Sequence, residues 1–288
     1  MTAGKSPLEI YFAEIAEIRA TGAGTKETSY YPALEKLLTE VGRQLKPRVR
    51  CVMGLKNLGA GMPDGGLFTE DQFKRGSPEP VAPQKPARGV IEVKGVGIDL
   101  AKLVAGEQVA KYWALHKLVL VTDYREFVLL GERDGKTFER ERYALARDAK
   151  AFWDLAKHPH KTAAAQSERF VDFLKRVMLH AAPLADPKDV AWFLASYARD
   201  ALFRTENASL PALENLRGAL EQALGLKFEG PKGEHFFRST LVQTLFYGVF
   251  ASWVLWHRSG ASGKFSRAAS LGRSCATSPW CPGWEAER

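Results

Sequence analysis

An almost wholly apolar segment in the middle of the chain constrains the fold most. Residues 117–124, KLVLVTDY, have the length of a single strand and show no alternation of polar and apolar residues. Such a pattern is typical of a strand that is buried on both faces of a sheet. Helices must therefore cover this sheet on both sides, which favours an α/β architecture.

Further strand and helix patterns surround this segment in the order that an α/β domain requires. Period-two or short apolar runs bounded by glycine predict four more strands, at 48–54, 65–68, 89–97 and 125–133. Apolar residues at helical spacing predict three helices, at 8–19, from Pro32 onwards, and at 103–115. Residues 1–148 are therefore predicted to form a mixed sheet flanked by helices.

The character of the sequence changes after about residue 149. Five segments between there and Trp256 have a helical period, so residues 149–257 are predicted to form an all-α domain. Residues 258–288 are rich in Ser, Gly and Arg without apolar periodicity, and are predicted to be a disordered tail. The abrupt change after Trp256 suggests a truncated or frameshifted reading frame.

Charge and cysteine content narrow the class of partner. The chain has 41 Lys and Arg against 33 Asp and Glu, a net charge of +8, which suits a polyanion such as double-stranded DNA. Its three cysteines are too few and oddly numbered for a disulfide framework, so a reducing cytoplasm is expected. The most apolar run, 241–256, is too short to cross a bilayer, and no membrane association is predicted.

Three short motifs carry the candidate chemistry. Pro63-Asp64 lies at the start of one predicted strand, and Glu92-Val93-Lys94 lies inside the next. Gln108 and Tyr112 follow on a predicted helix, where a spacing of four places them on one face. Strand alternation places Glu92 and Lys94 on the same face and leaves Val93 on the other.

This arrangement is suited to hydrolysis of a phosphodiester bond. Mg²⁺, with Mn²⁺ as a substitute, prefers oxygen ligands, and Asp64, Glu92 and the carbonyl of Val93 are the predicted ones. Lys94 would orient the attacking water or neutralise the developing charge. Each motif alone has a simpler explanation. For example, an E-x-K triplet occurs about once by chance in a chain of this size. A nuclease is favoured by the order of the motifs along the chain: a turn with Asp before a strand, a loop, a strand with E-x-K, a helix with Q-x-x-x-Y and an apolar strand.

In this order, residues 1 to about 150 resemble the PD-(D/E)XK nuclease superfamily, and Gln108 with Tyr112 is similar to the Q-x-x-x-Y motif of its RecB-like members. The stretches GTKETSYYPALEKLL, GMPDGGLF and GVIEVKG look like the nuclease domain of single-chain type IIG and type ISP restriction–modification enzymes. In those enzymes an adenine methyltransferase follows, and FFRSTLVQTLFYGVFASWVLW is similar to the helical spacer that precedes it.

The resemblance also implies an acidic residue on the first helix near the metal. Glu27 is the candidate for that role, and Glu14 and Glu35 compete with it. Either competitor could equally be a solvated surface carboxylate.

Motifs that are absent from this sequence exclude other activities. No glycine-rich S-adenosylmethionine motif, no N-P-P-Y or D-P-P-Y motif and no phosphate-binding G-x-x-x-x-G-K-[ST] loop occurs in it. The resemblance implies that the methyltransferase and target-recognition domains are missing downstream, so the sequence does not reveal a recognition site or an oligomeric state. A catalytically silent module that binds DNA or a protein remains the alternative hypothesis.

Overall fold

The computed structural model describes residues 4–258 except 23–26, 56–60, 78, 82–83, 134, 181, 183–186 and 207–211. Contacts divide the chain into two compact units, Met1–Pro183 and Leu184–Arg288. The tail predicted for 258–288 lies, apart from Arg258, outside the described residues.

The first unit contains six helices, six strands and two 3-10 turns among its described residues. The helices are α1 Pro7–Ala20, α2 Tyr31–Gly42, α3 Leu100–Val104, α4 Glu107–His116, α5 Ala149–Ala156 and α6 Pro159–Leu179. The strands are β1 Val49–Met53, β2 Gly65–Thr69, β3 Val90–Val93, β4 Val119–Thr122, β5 Glu126–Arg133 and β6 Lys136–Ala144. The 3-10 turns are Glu27–Tyr30 and Glu70–Gln72.

The strands form one mixed sheet, as the sequence predicts. Their spatial order follows the chain, β1-β2-β3-β4-β5-β6. β3 and β4 are parallel, and the other neighbouring pairs are antiparallel. A parallel pair requires a crossover connection, which α3 and α4 supply here. All four residues of β4 are buried, which confirms the interpretation of the apolar segment at 117–124.

Helices cover both faces of this sheet. On one face α2 packs on β1 at Gly42, where a β-carbon would lie only 2.2 Å from the carbonyl oxygen of Val49, so the close approach needs glycine. On the other face α3 and α4 pack on β3, β4 and β6. The apolar residues of that second layer form one cluster, made of Val90, Leu100, Leu103, Val104, Val109, Tyr112, Trp113, Val119, Val121, Val128 and Leu130. Val90 belongs to this layer, so alternation directs Glu92 to the same face.

The structure differs from the sequence prediction at two places in the first unit. β6 was not predicted, because KTFERERYA is an edge strand whose charged side chains are mostly exposed, and edge strands commonly carry such charges. The helix predicted at 103–115 is two helices. α3 ends with Ala105 as its C-cap, and Gly106 is the N-cap of α4. Gly106 has no side chain to pack and lowers the stability of a continuous helix there.

α5 and α6 pack into the first unit. Phe152 of α5 contacts Phe12 of α1 with ring centroids 5.6 Å apart, and Phe170 of α6 contacts Phe127 of β5 at 5.0 Å. The buried guanidinium of Arg176 also forms an ion pair with Glu141 on β6. The predicted boundary at residue 148 follows the end of the strands, whereas the compact unit includes these two helices.

The described residues of the second unit contain three helices and no strand. It comprises α7 Pro187–Glu206, α8 Ala212–Leu224 and α9 Gly230–Arg258, which confirms the prediction of a helical region after the sheet. Phe228, Phe237 and Val242 are its buried apolar residues. In the part of the chain that the structure describes, every helix is too short or too polar to traverse a bilayer.

Candidate active site

Asp64 lies immediately before β2 and is held by two hydrogen bonds. β2 pairs with β3 at Gly65 and Ile91, so extending the register by one residue places Asp64 opposite Glu92. One carboxylate oxygen, Oδ2, accepts a hydrogen bond of 2.7 Å from the backbone N–H of Val93. The other, Oδ1, accepts one of 2.6 Å from the hydroxyl of Tyr31. The carboxylate of Asp64 is therefore fixed in orientation beside β3.

Glu92 and Lys94 form the other part of the site. Lys94 donates from Nζ to Oε1 of Glu92 at 2.7 Å and to the carbonyl oxygen of Val93 at 3.0 Å. Glu92 is only 2% exposed, and its second oxygen, Oε2, is buried without a hydrogen-bond partner among the described residues. We call Asp64, Glu92 and Lys94 the carboxylate–lysine cluster. The structure brings these three predicted residues together at one end of the sheet.

Electrostatics within the cluster favour a cation. Burial raises the pKa of Glu92, the hydrogen bond from Lys94 opposes that shift, and the negative charges of Asp64 and Glu27 add to it. Burial alone would lower the pKa of Lys94, but its hydrogen bond and attraction to Glu92, with the charges of Asp64 and Glu27, raise it overall. Lys94 is therefore an ammonium at neutral pH, and it compensates only part of the negative charge around it.

The predicted helix pair lies next to the cluster but only one member is exposed. Gln108 donates from Nε2 to the hydroxyl of Tyr112 at 2.8 Å, as expected for a spacing of four on α4. Tyr112 is fully buried, and Gly61 lies against its ring, where a β-carbon would be 3.4 Å from Cε1. Burial, together with the charges of Glu92 and Asp64, raises the pKa of Tyr112 against the opposing hydrogen bond from Gln108. Tyr112 therefore supports the segment that leads into Asp64, and Gln108 is the member exposed to solvent.

The structure separates the three acidic candidates of the N-terminal region. Glu27 begins the 3-10 turn before α2, and its charge acts on both Glu92 and Lys94. Glu14 forms an ion pair with Lys36, and Glu35 accepts a hydrogen bond from the backbone N–H of Met53 at 3.2 Å. Of the three, Glu27 is the one whose charge influences the cluster.

Tyr31 is the residue that sequence reasoning missed. The segment TSYYP predicts the start of a helix with Pro32 in its first turn. In the structure α2 begins at Tyr31, and Pro32 lies in the first turn. Burial and its hydrogen bond to Asp64 raise the pKa of the Tyr31 hydroxyl, so this hydroxyl remains a proton donor at neutral pH. No local pattern distinguishes Tyr31 from Tyr30, because the contact with Asp64 joins residues 33 positions apart.

The ligands that the cluster offers to a cation are oxygen atoms, without sulfur or imidazole nitrogen. No group of three or more His, Cys, Asp or Glu side chains that could hold a metal ion occurs within the described ranges. Mg²⁺ does not need such a group, since it is commonly bound through one or two carboxylates and keeps several waters. Asp64 and Glu92 supply two carboxylates, and binding of Mg²⁺ by them and by the carbonyl of Val93 stays a prediction.

Comparisons with known proteins gave one kind of match. No protein-family model and no curated protein matches this chain. Six chains of solved structures match, among them one described as a cryo-EM structure of a DrdV–DNA complex. That chain is similar at 22% sequence identity with a TM-score of 0.36, and the match covers 53% of this chain and 94% of the other.

Proposed function

We propose that this protein is a Mg²⁺-dependent endodeoxyribonuclease of the PD-(D/E)XK type, forming the restriction half of a restriction–methylation enzyme. The observation that supports it best is the unpartnered, buried Oε2 of Glu92 beside Asp64 and Lys94. The sequence resemblance of the same three residues to the nuclease motif supports the same assignment.

The energetics of Glu92 argue against a merely structural ion pair. Removing a carboxylate from water costs roughly several kcal/mol, which is offset only when its oxygens find partners. Lys94 satisfies Oε1, but Oε2 has no partner within the described residues. A divalent cation bound by Oε2 would supply the missing partner, and it would also explain why a second carboxylate lies next to the first.

The residues of the cluster have distinct roles in this proposal. Asp64, Glu92 and the Val93 carbonyl would hold the ion, which supplies Lewis acidity and a bound water of lowered pKa. Lys94, charged at neutral pH and adjacent to Glu92, would orient the attacking water or stabilise the charge that develops on the phosphate. Glu27 would add negative charge that favours cation binding, and Gln108 would contact the substrate from α4.

The proposal predicts that the purified protein nicks supercoiled plasmid DNA with Mg²⁺ or Mn²⁺ and not with EDTA. Conversion of supercoiled to open-circular DNA on an agarose gel measures this directly. Mn²⁺ titrated into the protein in a calorimeter should also show one binding event. Intact plasmid at every metal concentration, with no heat of Mn²⁺ binding, would leave the silent binding module as the better description.

Tyr31→Phe is expected to weaken Mn²⁺ binding by about tenfold to a hundredfold, as loss of a hydrogen bond to a ligating carboxylate commonly does. The ring is kept, so the melting temperature should change little. Calorimetric titration gives the dissociation constant, and circular dichroism gives the melting temperature. Tyr247→Phe is the matched control, because Tyr247 is 71% exposed in the second unit. Unchanged Mn²⁺ affinity in Tyr31→Phe would show that Tyr31 does not position Asp64 for the metal.

A further inference from the structure

A groove that the sequence did not indicate lies between α1 and α5. Its volume is about 640 Å³, and it is lined by Arg19 of α1, by Lys150, Trp153 and Asp154 of α5, by Lys157 just after α5, and by three alanines. Ala16, Ala20 and Ala156 contribute the small side chains of this lining. The lining has three cations against one carboxylate.

Two of these cations are available to a ligand. The guanidinium of Arg19 stacks on the indole of Trp153, with Cζ 3.8 Å from the ring centroid. Neither Arg19 nor Lys150 forms an ion pair with a carboxylate in the part of the chain that the structure describes. Lys157 pairs with Asp154 at 2.8 Å, but both side chains are more than half exposed, so that pair is weak. Stacking on Trp153 orients Arg19 and leaves the edges of its guanidinium as donors.

Two sets of contacts connect elements of the groove with elements of the carboxylate–lysine cluster. The ring of Trp153 contacts that of Tyr30 at 5.9 Å, and the next residue, Tyr31, donates to Asp64. On the other side, a β-carbon at Gly97 would lie 3.3 Å from the β-carbon of Ala149, at the start of α5. Gly97 follows Lys94 by three residues. These contacts connect the groove to the carboxylate–lysine cluster through Tyr30 and Tyr31.

We propose that the groove between α1 and α5 binds the sugar–phosphate backbone of duplex DNA beside the scissile bond, an inference that rests on the proposed nuclease function. Arg19 and Lys150 would each contact a phosphate. Because both cations are exposed and screened by water and salt, a single free phosphate would gain little there. DNA presents phosphates in a row and releases condensed counterions on binding, so the same two cations contribute substantially to its affinity.

The test is equilibrium binding of a fluorescently labelled short duplex, followed by anisotropy in EDTA at several salt concentrations. The double variant Arg19→Gln/Lys150→Gln removes two phosphate contacts and keeps side chains of similar length. Its slope of log affinity against log salt should be shallower by about 1.8, and its affinity at about 50 mM salt should be lower by about a hundredfold. Both altered residues are exposed, so folding should be retained.

Lys136→Gln/Arg140→Gln is the matched control. Both control residues lie on β6. In the strand register Lys136 lies opposite Arg133, at the end of the β5–β6 hairpin that is away from the cluster. This variant loses the same charge and should bind DNA with the parent salt slope. If the groove variant keeps the parent slope, or if the control loses as much slope, the groove assignment is overturned.

Measuring binding without metal separates this inference from the nuclease proposal. If the protein never nicks plasmid but the groove variant shows the shallower slope, DNA binding by the groove is supported and the nuclease assignment is contradicted. If the protein nicks plasmid but parent and groove variant have equal salt slopes, the nuclease assignment is supported and DNA binding by the groove is contradicted.

Discussion

Asp64→Ala is expected to lower the rate of plasmid nicking by about 10³-fold or more and to abolish calorimetric binding of Mn²⁺. The variant removes one of the two carboxylates that would hold the ion, so both the bound water and the charge neutralisation at the phosphate are lost together. It also leaves the buried N–H of Val93 without its acceptor, which should reduce the free energy of unfolding by about 1–3 kcal/mol. The hydroxyl of Tyr31 can turn to water, because that side chain is only half-buried.

A second substitution separates loss of charge from loss of structure. Asp64→Asn retains an oxygen acceptor and the shape of the side chain, so its melting temperature should be closer to that of the parent while nicking is still lost. Asp71→Ala, at an exposed carboxylate in the turn Glu70–Gln72, should nick as the parent does. Parent-like nicking by Asp64→Ala would contradict the nuclease proposal and assign the activity to another site or to a contaminant.

Lys94→Ala is expected to keep Mn²⁺ binding and to lower the nicking rate by about 10²–10³-fold, the usual effect of removing one group that stabilises developing charge. The ammonium of Lys94 donates a hydrogen bond to Oε1 of Glu92. Removing a positive charge from this position leaves Glu92 and Asp64 more attractive to a cation, so Mn²⁺ affinity should be equal to that of the parent or higher.

Comparison of the two variants identifies the role of each residue. Asp64→Ala should lose metal binding and nicking, whereas Lys94→Ala should lose nicking alone. Lys111→Ala, at an exposed lysine on α4, is the matched control and should retain both properties. If Lys94→Ala loses Mn²⁺ binding as fully as Asp64→Ala does, Lys94 would be required for the structure of the site and not for the chemical step.

Patterns with short range were sufficient for much of the fold and part of the site. Apolar periodicity predicted α1, α2 and the buried strand β4, because the period of a helix or strand depends only on neighbouring residues. The same alternation predicted that Glu92 and Lys94 share a face, and their side chains are hydrogen-bonded at 2.7 Å. The spacing of four predicted the contact between Gln108 and Tyr112, which is also present. The chemical roles of these residues stay predictions.

The sequence by itself therefore determined the α/β class, the positions of α1, α2 and β1 to β5, and the same-face pairs within single elements. Only the tertiary structure decided that Tyr31 donates to Asp64, that Glu14 and Glu35 have partners away from the cluster, and that Arg19 stacks on Trp153. It also decided that β6 completes the sheet despite its polar sequence. These contacts join residues far apart in the chain, so they depend on how whole helices pack on the sheet. No period in a single element encodes that packing, since it is selected by burial of apolar surface over the entire core.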